Sequence, residues 1–251
     1  MNIFTAGKKR KSEVLIFAFP RTGSTTLAEA LGMFWRVKIM LEPFNKADGY
    51  SGSREDIADR DSLCRVMDEI SGKGINVVKH LNCQLSQELN CRLLEYGFRQ
   101  ILFLWRRNSL KRAVSNEISF QAREWRRDRE KILNAEYKSL DINKLRENME
   151  WYRSEVKWYR AFLESRGIPF SEIVMEDFYL RSIAEKEKAI LSLARRYFFL
   201  RSFSCNQKRL REILSPEVSR LNSRETYEMI PNIGEVDREL SSKENGFLFE
   251  D

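Results

Sequence analysis

Short apolar runs alternate along the chain with longer stretches in which apolar residues recur at helical spacing. Runs of this length between helical stretches are typical of βαβ units, in which consecutive strands pair in parallel. The pattern predicts an α/β fold in three layers, with a central parallel sheet, formed by a single domain over residues 1–251. The runs lie near residues 13–19, 36–40, 75–79, 99–105 and 170–175.

Residues 109–167 are expected to form a long, charged helical insertion. Aromatic side chains such as Trp151 and Trp158 add bulk to it. The segment has an apolar stripe, which packing of a helix against the core would explain. The alternative is a lid over an acceptor cleft, in which aromatic faces stack on sugar rings. The apolar stripe consists of Leu145, Met149, Tyr152 and Val156.

The first apolar run leads directly into a polar turn, which reads Pro20-Arg21-Thr22-Gly23-Ser24-Thr25-Thr26-Leu27. Strand, tight turn and helix is the layout of a P-loop-like phosphate site, where backbone N–H groups and the positive helix end face an anion. Gly23 permits close approach of the backbone and Arg21 supplies a fixed positive charge. The alternative is a capped helix start without a ligand. Further donors are the hydroxyls of Thr22, Ser24, Thr25 and Thr26.

The turn departs from the Walker A pattern G-x-x-x-x-G-K-[ST]. Ala18 stands where that pattern has its first glycine, and Ser24 stands where it has lysine. That lysine normally binds the β- and γ-phosphates of a nucleotide triphosphate. Because the basic residue is Arg21, inside the turn, a donor with a short anhydride fits better than ATP.

A second polar turn follows the fourth apolar run, and it contains Arg106-Arg107-Asn108-Ser109. Ser115 follows Arg107 by eight residues, within the next helical stretch. The guanidinium of Arg107 can bind two oxygens of one phosphate while the hydroxyl of Ser115 donates to it. An ordinary basic strand end is the alternative. Because ligands of parallel sheets bind beyond the carboxyl ends of the strands, both turns are expected at the same edge.

The two turns resemble motifs of sulfotransferases that use 3′-phosphoadenosine-5′-phosphosulfate (PAPS). The first is similar to the 5′-phosphosulfate loop, in the arginine form of carbohydrate-type members. The second resembles the 3′-phosphate site, with Arg107 and Ser115 at the matching positions and Asn108-Ser109 where the family often has Asp-Pro. The resemblance implies that residues 21–26, Arg107 and Ser115 bind the donor and that catalysis needs no metal.

Weaker similarities extend the resemblance over most of the chain, from about Glu13 to Leu240. Ile173-Val174-Met175-Glu176-Asp177-Phe178 is similar to a strand-to-helix segment of the family whose role is mostly structural, and residues 227–236 resemble its tail helix start. No catalytic role is therefore assigned to Glu176 or Asp177.

Sulfuryl transfer to an alcohol requires a base near the acceptor hydroxyl and a positive charge near the leaving oxygen. Glu42, in Leu41-Glu42-Pro43-Phe44, resembles the proposed base of bacterial trehalose-type glycolipid sulfotransferases, and it is the preferred candidate. His80 is the second candidate, since its ordinary pKa lies near 6.5. Arg21 is expected to stabilise the leaving group, and Lys79 is a candidate for binding the sulfuryl oxygens.

The formal net charge of +7 favours an anionic partner. A donor nucleotide and an acidic acceptor account for it, and no nucleic-acid partner is expected. Acidic residues interrupt the main basic cluster, as on a solvated helix with paired charges. That cluster consists of Arg123, Arg126, Arg127, Arg129 and Lys131.

The four cysteines have no C-x-x-C spacing, and with a single histidine they predict no zinc site. The short basic N-terminus has no signal-peptide pattern, and no run of about 18 apolar residues predicts a membrane span. The expected setting is a reduced, cytoplasmic one. The sequence thus predicts a sulfotransferase with a carbohydrate or glycolipid acceptor; the alternatives are a P-loop-type small-metabolite kinase and a non-catalytic nucleotide- or polyanion-binding protein.

Overall fold

The computed structural model describes residues 14–35, 37–45, 57, 59–72, 77–125, 128–198, 205–215 and 224–249. Within these ranges five strands form one sheet in the order β2-β3-β1-β4-β5, and every pairing is parallel. The predicted α/β class with a central parallel sheet is therefore confirmed. The strands are β1 Val14–Ala18, β2 Ile39–Leu41, β3 Val77–Leu81, β4 Gln100–Trp105 and β5 Phe170–Val174.

Helices connect the strands and follow the last one. Polar side chains fix several helix starts, because their oxygens accept from backbone N–H groups of the first turn. Asn108 begins α4 in this way, and Asp141 begins α6. The helices are α1 Ser24–Gly32, α2 Arg60–Gly72, α3 Gln87–Leu94, α4 Ser109–Ala122, α5 Arg129–Leu133, α6 Ile142–Ser165, α7 Met175–Tyr179, α8 Ile183–Phe198, α9 Gln207–Leu214, α10 Arg224–Glu228 and α11 Ile233–Leu240, with a 3₁₀ turn at Asn82–Gln84.

Both faces of the sheet are buried, as expected for parallel strands with helices on each side. Ile16 of β1 points into a cluster with residues of α1, α8 and α9. Phe17 points to the opposite face, into a cluster with residues of α2, α3 and α6. A third cluster lies between α4, the start of α6 and the C-terminal helices. The central strand β1 is thus rigidly held, which fixes the position of the turn that follows it.

The predicted helical segment 109–167 is divided into α4, α5 and α6. The four residues of its apolar stripe are buried, in agreement with packing against the core. Trp151 and Trp158 lie on the exposed side of α6. Across the described ranges, no helix has both the length and the apolar character that crossing a membrane requires.

Candidate functional site at the carboxyl edge of the sheet

The two polar turns lie side by side at one edge of the sheet. Strands β1 and β4 are direct neighbours, with Ala18 paired to Leu104 next to the ends of both strands. The turn after β1 leads into α1 and the turn after β4 leads into α4, so two helix N-termini lie at this edge. Their backbone N–H groups and dipoles favour bound anions.

A hydrogen bond between side chains joins the first turn to helix α4. Arg21 Nε donates to Ser115 Oγ over 2.9 Å. The guanidinium of Arg106 also donates to the backbone oxygen of Arg21, at 3.4 Å. Arg21 has a φ of 68°, a left-handed conformation that is uncommon for a residue with a side chain. The backbone is therefore held in an unusual shape at the residue whose side chain reaches α4.

The charge of Arg21 lies in an unfavourable environment. Burial, together with the nearby charge of Arg106, lowers the pKa of Arg21 to about 10, while Tyr227 and Glu124 oppose the shift. The guanidinium therefore remains protonated at neutral pH. Two guanidinium groups thus lie next to each other here, and the carboxylates of Glu176, 3.7 Å from Arg106 Nε, and Glu124 offset part of their charge.

Gly23 is required by the shape of the turn. Its φ is 81°, and a Cβ at this position would come within 2.6 Å of the Tyr179 ring. The hydroxyl of Tyr179 donates to the backbone oxygen of Gly23 over 2.6 Å, so α7 supports the turn from one side. Thr22 is buried and donates to the Phe19 oxygen over 2.7 Å. That hydroxyl thus stabilises the turn internally; Ser24 and Thr26 are also buried, and Thr25 is partly exposed.

Glu42 and Lys79 form an ion pair beside the first turn. Lys79 Nζ donates to Glu42 Oε1, and it also donates to Thr25 Oγ1 over 3.0 Å. The other carboxylate oxygen, Oε2, accepts from Gln84 at 2.6 Å and from Asn45 at 3.0 Å. The pair therefore connects the ends of β2 and β3 to the loop after β1.

The environment keeps the Glu42 carboxylate ionised. Burial raises the pKa of Glu42, but the charge of Lys79 and the hydrogen bonds from Lys79, Asn45 and Gln84 outweigh burial and bring it below 4.5. Burial lowers the pKa of Lys79, against the attraction of Glu42. Glu42 retains one fifth of its side-chain exposure, whereas Lys79 retains 3%. A proton acceptor that solvent reaches is thus held next to a buried cation.

His80, the second candidate base, lies in the core. Its ring packs against Phe17 and Phe44, and Nε2 is hydrogen-bonded to Asn90 Oδ1 at 2.6 Å. Nδ1 is buried without a hydrogen-bond partner. Burial lowers the pKa of His80 to about 4, although the hydrogen bond to Asn90 opposes the shift. The imidazole is therefore neutral at pH 7 and inaccessible to a bulky acceptor.

Arg107 and Ser115, the predicted 3′-phosphate ligands, have different partners. The exposed guanidinium of Arg107 donates from Nη2 to both carboxylate oxygens of Asp177, at 2.8 and 2.9 Å. The Glu176 carboxylate accepts from the backbone N–H groups of Arg107 and Asn108, at 2.8 and 2.9 Å. Glu176 thus shapes the second turn, whereas Asp177 occupies the side of the Arg107 guanidinium that was predicted to bind a phosphate.

The sequence reasoning missed Arg112 and the residues around it. Arg112 is buried between α4 and α6, and its Cζ lies 4.1 Å from the centre of the Tyr152 ring. Its place three residues before Ser115 was the available signal, because residues at this spacing share one face of a helix.

The basic cluster has mostly acidic partners where it is described. Arg129 pairs with Glu225 at 2.7 Å and Lys131 with Glu124 at 3.6 Å. Arg126 and Arg127 lie outside the described residues. The pairing agrees with a solvated helical surface.

Within the part of the chain that the structure describes, no group of three or more His, Cys, Asp or Glu side chains is arranged to hold a metal ion. Comparison of the chain with protein-family models, curated proteins and solved structures gives no match. The function of the protein is therefore inferred from the geometry of this site and from the two motifs.

Proposed function

We propose that this protein is a sulfotransferase that moves a sulfuryl group from PAPS to a hydroxyl of a carbohydrate or glycolipid acceptor in the cytoplasm. The observation that supports this most strongly is the 2.9 Å hydrogen bond between Arg21 and Ser115. It brings together the two motifs that resemble the 5′-phosphosulfate and 3′-phosphate sites. A ligand with phosphate groups at both ends of a nucleoside suits two such adjacent anion sites.

The residues present fit such a donor. Arg21, the hydroxyl of Thr25 and the start of α1 would bind the phosphosulfate, since Gly23 leaves the backbone open to close approach. Ser115 and Arg107 would bind the 3′-phosphate. Arg107 must first exchange Asp177 for the phosphate, and this exchange is cheap because exposed ion pairs contribute only about 0–1 kcal/mol.

Glu42 is the proposed general base. The acceptor oxygen attacks sulfur, its proton passes to the Glu42 carboxylate, and the bond between sulfur and the bridging phosphate oxygen breaks. The products are a sulfate ester and 3′,5′-phosphoadenosine, and Arg21 stabilises the charge on the leaving phosphate.

Lys79 connects the base to the loop. Its ammonium contacts both Glu42 and Thr25, so it lies between the proton acceptor and the phosphosulfate site. When Lys79 turns towards the sulfuryl oxygens, the Glu42 carboxylate loses its strongest stabilising charge. Its basicity then rises as the donor is bound, which links base activation to occupancy of the loop.

The test is transfer of ³⁵S from labelled PAPS to a panel of neutral and acidic sugars and glycolipids, in the presence of a metal chelator. A labelled product formed by the wild type, and lost in Glu42→Gln while donor affinity persists, supports the proposal. Phosphoryl transfer from ATP that requires magnesium would instead identify a kinase. Donor binding without turnover on any acceptor would favour a non-catalytic nucleotide-binding protein.

A further inference from the structure

One side of α6 carries two exposed tryptophans with a carboxylate between them. Trp151, Glu155 and Trp158 follow one another at intervals of four and three residues, which places them on one face of the helix. Trp151 is 47% exposed and Trp158 39%, whereas Glu155 is half-buried. Stacking on the Phe162 ring, with centroids 5.5 Å apart, holds Trp158 in place. We call Trp151, Glu155 and Trp158 the tryptophan flank.

The flank lies on the side of α6 that faces α3. Asn90 of α3 donates to the hydroxyl of Tyr159 over 3.0 Å. Arg166, the residue after α6, pairs with Glu95, the residue after α3, at 3.4 Å. The two helices therefore run side by side in the same direction. Glu155 precedes Arg166 by eleven residues, which is three helical turns, so both project from the same side of α6.

Glu155 is thereby placed near the carboxyl edge of the sheet. It lies one turn before the tyrosine that contacts α3, towards the 3₁₀ turn between β3 and α3. Burial raises the pKa of Glu155, and the side chain of Asn82 in that 3₁₀ turn opposes part of the shift, in agreement with this position. Trp151 is one turn further along, next to Tyr152, whose hydroxyl accepts from the Arg106 N–H at the end of β4 over 2.7 Å.

The same 3₁₀ turn connects the flank to the proposed base. Gln84, its last residue, donates to Glu42 Oε2 over 2.6 Å. The backbone oxygen of Asn82, its first residue, accepts from the α3 asparagine that contacts α6, at 2.7 Å. Cys83, between them, is exposed. Because a 3₁₀ turn of three residues is only about 6 Å long, the base and the flank lie within reach of one oligosaccharide, along a surface that solvent reaches.

The side chains of the flank suit a neutral sugar. Within the described ranges, Glu155 has no ion-pair partner, so its half-buried carboxylate lacks a positive charge to replace the lost water. Hydrogen-bond donors without charge can replace that water, and sugar hydroxyls are such donors. The apolar face of a sugar ring packs on an indole ring, as other apolar groups do. An acidic sugar would instead be repelled by Glu155.

We propose that the tryptophan flank binds a neutral sugar unit of the acceptor, with Trp151 stacked on the ring and Glu155 accepting hydrogen bonds from its hydroxyls. The inference rests on the proposed function, because that function supplies the acceptor whose hydroxyl reaches Glu42. Trp158, about 10 Å further along the helix axis, contacts a neighbouring sugar unit. Neutral oligosaccharides are thus the favoured acceptors, and acidic ones of the same size bind more weakly.

NMR titration of the ¹⁵N-labelled protein with maltose, cellobiose and lactose tests this, because the indole N–H signals of the five tryptophans report contact directly. At least one of these disaccharides should shift the signals of Trp151 and Trp158, and the acidic disaccharide of hyaluronan should shift them less. Trp35 and Trp125 are exposed tryptophans outside α6, so their signals should stay unchanged. No shift with any neutral disaccharide, equal shifts of all four signals, or a larger response to the acidic disaccharide would overturn the proposal.

Variants of the flank give the second part of the test. Trp151→Ala and Glu155→Gln should each weaken binding of the most effective disaccharide by about tenfold or more. Trp125→Ala removes an indole of similar exposure, and Glu150→Gln removes an exposed carboxylate elsewhere on α6. These two matched controls should keep the wild-type affinity. Wild-type affinity in both flank variants would overturn the proposal; if Trp151→Ala then also abolished self-association of the protein, the flank would be an interface between copies of the chain.

Steady-state transfer from PAPS separates this inference from the proposed function. With the acceptor that the wild type sulfates best, Trp151→Ala should raise the KM for the acceptor by about tenfold or more and leave the KM for PAPS unchanged. An unchanged acceptor KM in an active variant would overturn the inference and leave the proposed function standing. If the wild type transfers sulfate to no acceptor, the proposed function fails, and the indole signals still show independently whether the flank binds neutral sugars.

Discussion

Arg21 Nε donates a hydrogen bond of 2.9 Å to Ser115 Oγ across 94 positions of the sequence. Arg21 belongs to the turn after β1, and Ser115 lies in the second turn of α4. Since β1 and β4 are paired, the contact joins the turn after β1 to the helix that follows the neighbouring strand. Each residue therefore orients the other before any ligand binds.

We expect Arg21 and Ser115 to act together in donor binding. In a double-mutant cycle with Arg21→Ala and Ser115→Ala, the effects on 3′,5′-phosphoadenosine affinity should depart from additivity by about 0.5–3 kcal/mol. Arg21→Ala should also lower turnover by about 10²–10³. Arg146→Ala removes an exposed arginine of α6 and is the control. Additive effects on affinity would show that the contact has no role in binding.

Gly23→Ala should destabilise the protein more than Gly167→Ala. Both glycines have positive φ, which costs about 1–2 kcal/mol for other residues. A Cβ at Gly167 has no heavy atom within 4 Å, whereas one at Gly23 lies 2.6 Å from Tyr179. The difference between the two variants in the free energy of unfolding, measured in urea, separates the cost of the steric collision from that of the backbone strain. Equal losses would mean that Tyr179 moves aside without cost.

Removing the Glu42 carboxylate should leave the Lys79 ammonium buried and unpaired. We expect Glu42→Gln to reduce the free energy of unfolding by about 3–5 kcal/mol, and Glu42→Gln with Lys79→Met to recover most of it. The folded pKa of Glu42 lies below its ordinary 4.5, so its contribution is complete above that pH and is lost as pH falls through the folded value. In Glu42→Gln, the free energy of unfolding measured from pH 3 to 7 should therefore lack this pH-dependent contribution. A pH dependence equal to that of the wild type would contradict the ion pair.

His80 should titrate near pH 4. It is the single histidine of the chain, so one imidazole NMR signal of the untagged protein reports its pKa directly. As pH decreases, the imidazole is protonated near pH 6.5 in the unfolded state but only near pH 4 in the folded state. Stability should therefore fall by about 1.4 kcal/mol per pH unit between these values as pH decreases. A midpoint near 6.5 would place the ring in solvent and restore His80 as a candidate base.

Asp177 should compete with the donor for Arg107. Asp177→Asn frees the guanidinium and should tighten 3′,5′-phosphoadenosine binding several-fold, with little effect on adenosine 5′-phosphate. Stability should change by less than about 1 kcal/mol, because the ion pair is exposed. Glu225→Gln, which frees Arg129 in a similarly exposed pair, is the matched control. An equal change for both nucleotides would argue against a 3′-phosphate site at Arg107.

Apolar runs predicted all five strands, because the inner strands β1, β3 and β4 are buried on both faces and the edge strands β2 and β5 are partly buried. The predicted ends of the strands were less accurate where a strand contains polar residues. The run at 75–79 corresponds to Val77–Leu81, since Lys79 and His80 are buried within β3 despite their polarity. The ion pair of Lys79 and the hydrogen bond of His80 compensate the cost of burying these two side chains. The hydrophobic pattern of the sequence contains no information about such partners.

The two polar turns could be located from the sequence, because each follows an apolar run directly. Their contacts could not be predicted in the same way. Lys79 meets Glu42 because β2 and β3 are paired in a specific register, which places Leu41 opposite Lys79. The partner of Arg107, Asp177, is 70 positions away, and its choice depends on how α7 packs at the end of β5.

The most direct test of the account is calorimetric titration of the wild type with 3′,5′-phosphoadenosine, with adenosine 5′-phosphate, and with ATP plus magnesium. The account predicts tight binding of the first, binding at least about tenfold weaker for the second, and little binding of the third. Tight binding of ATP with magnesium, and none of 3′,5′-phosphoadenosine, would contradict it and favour the kinase.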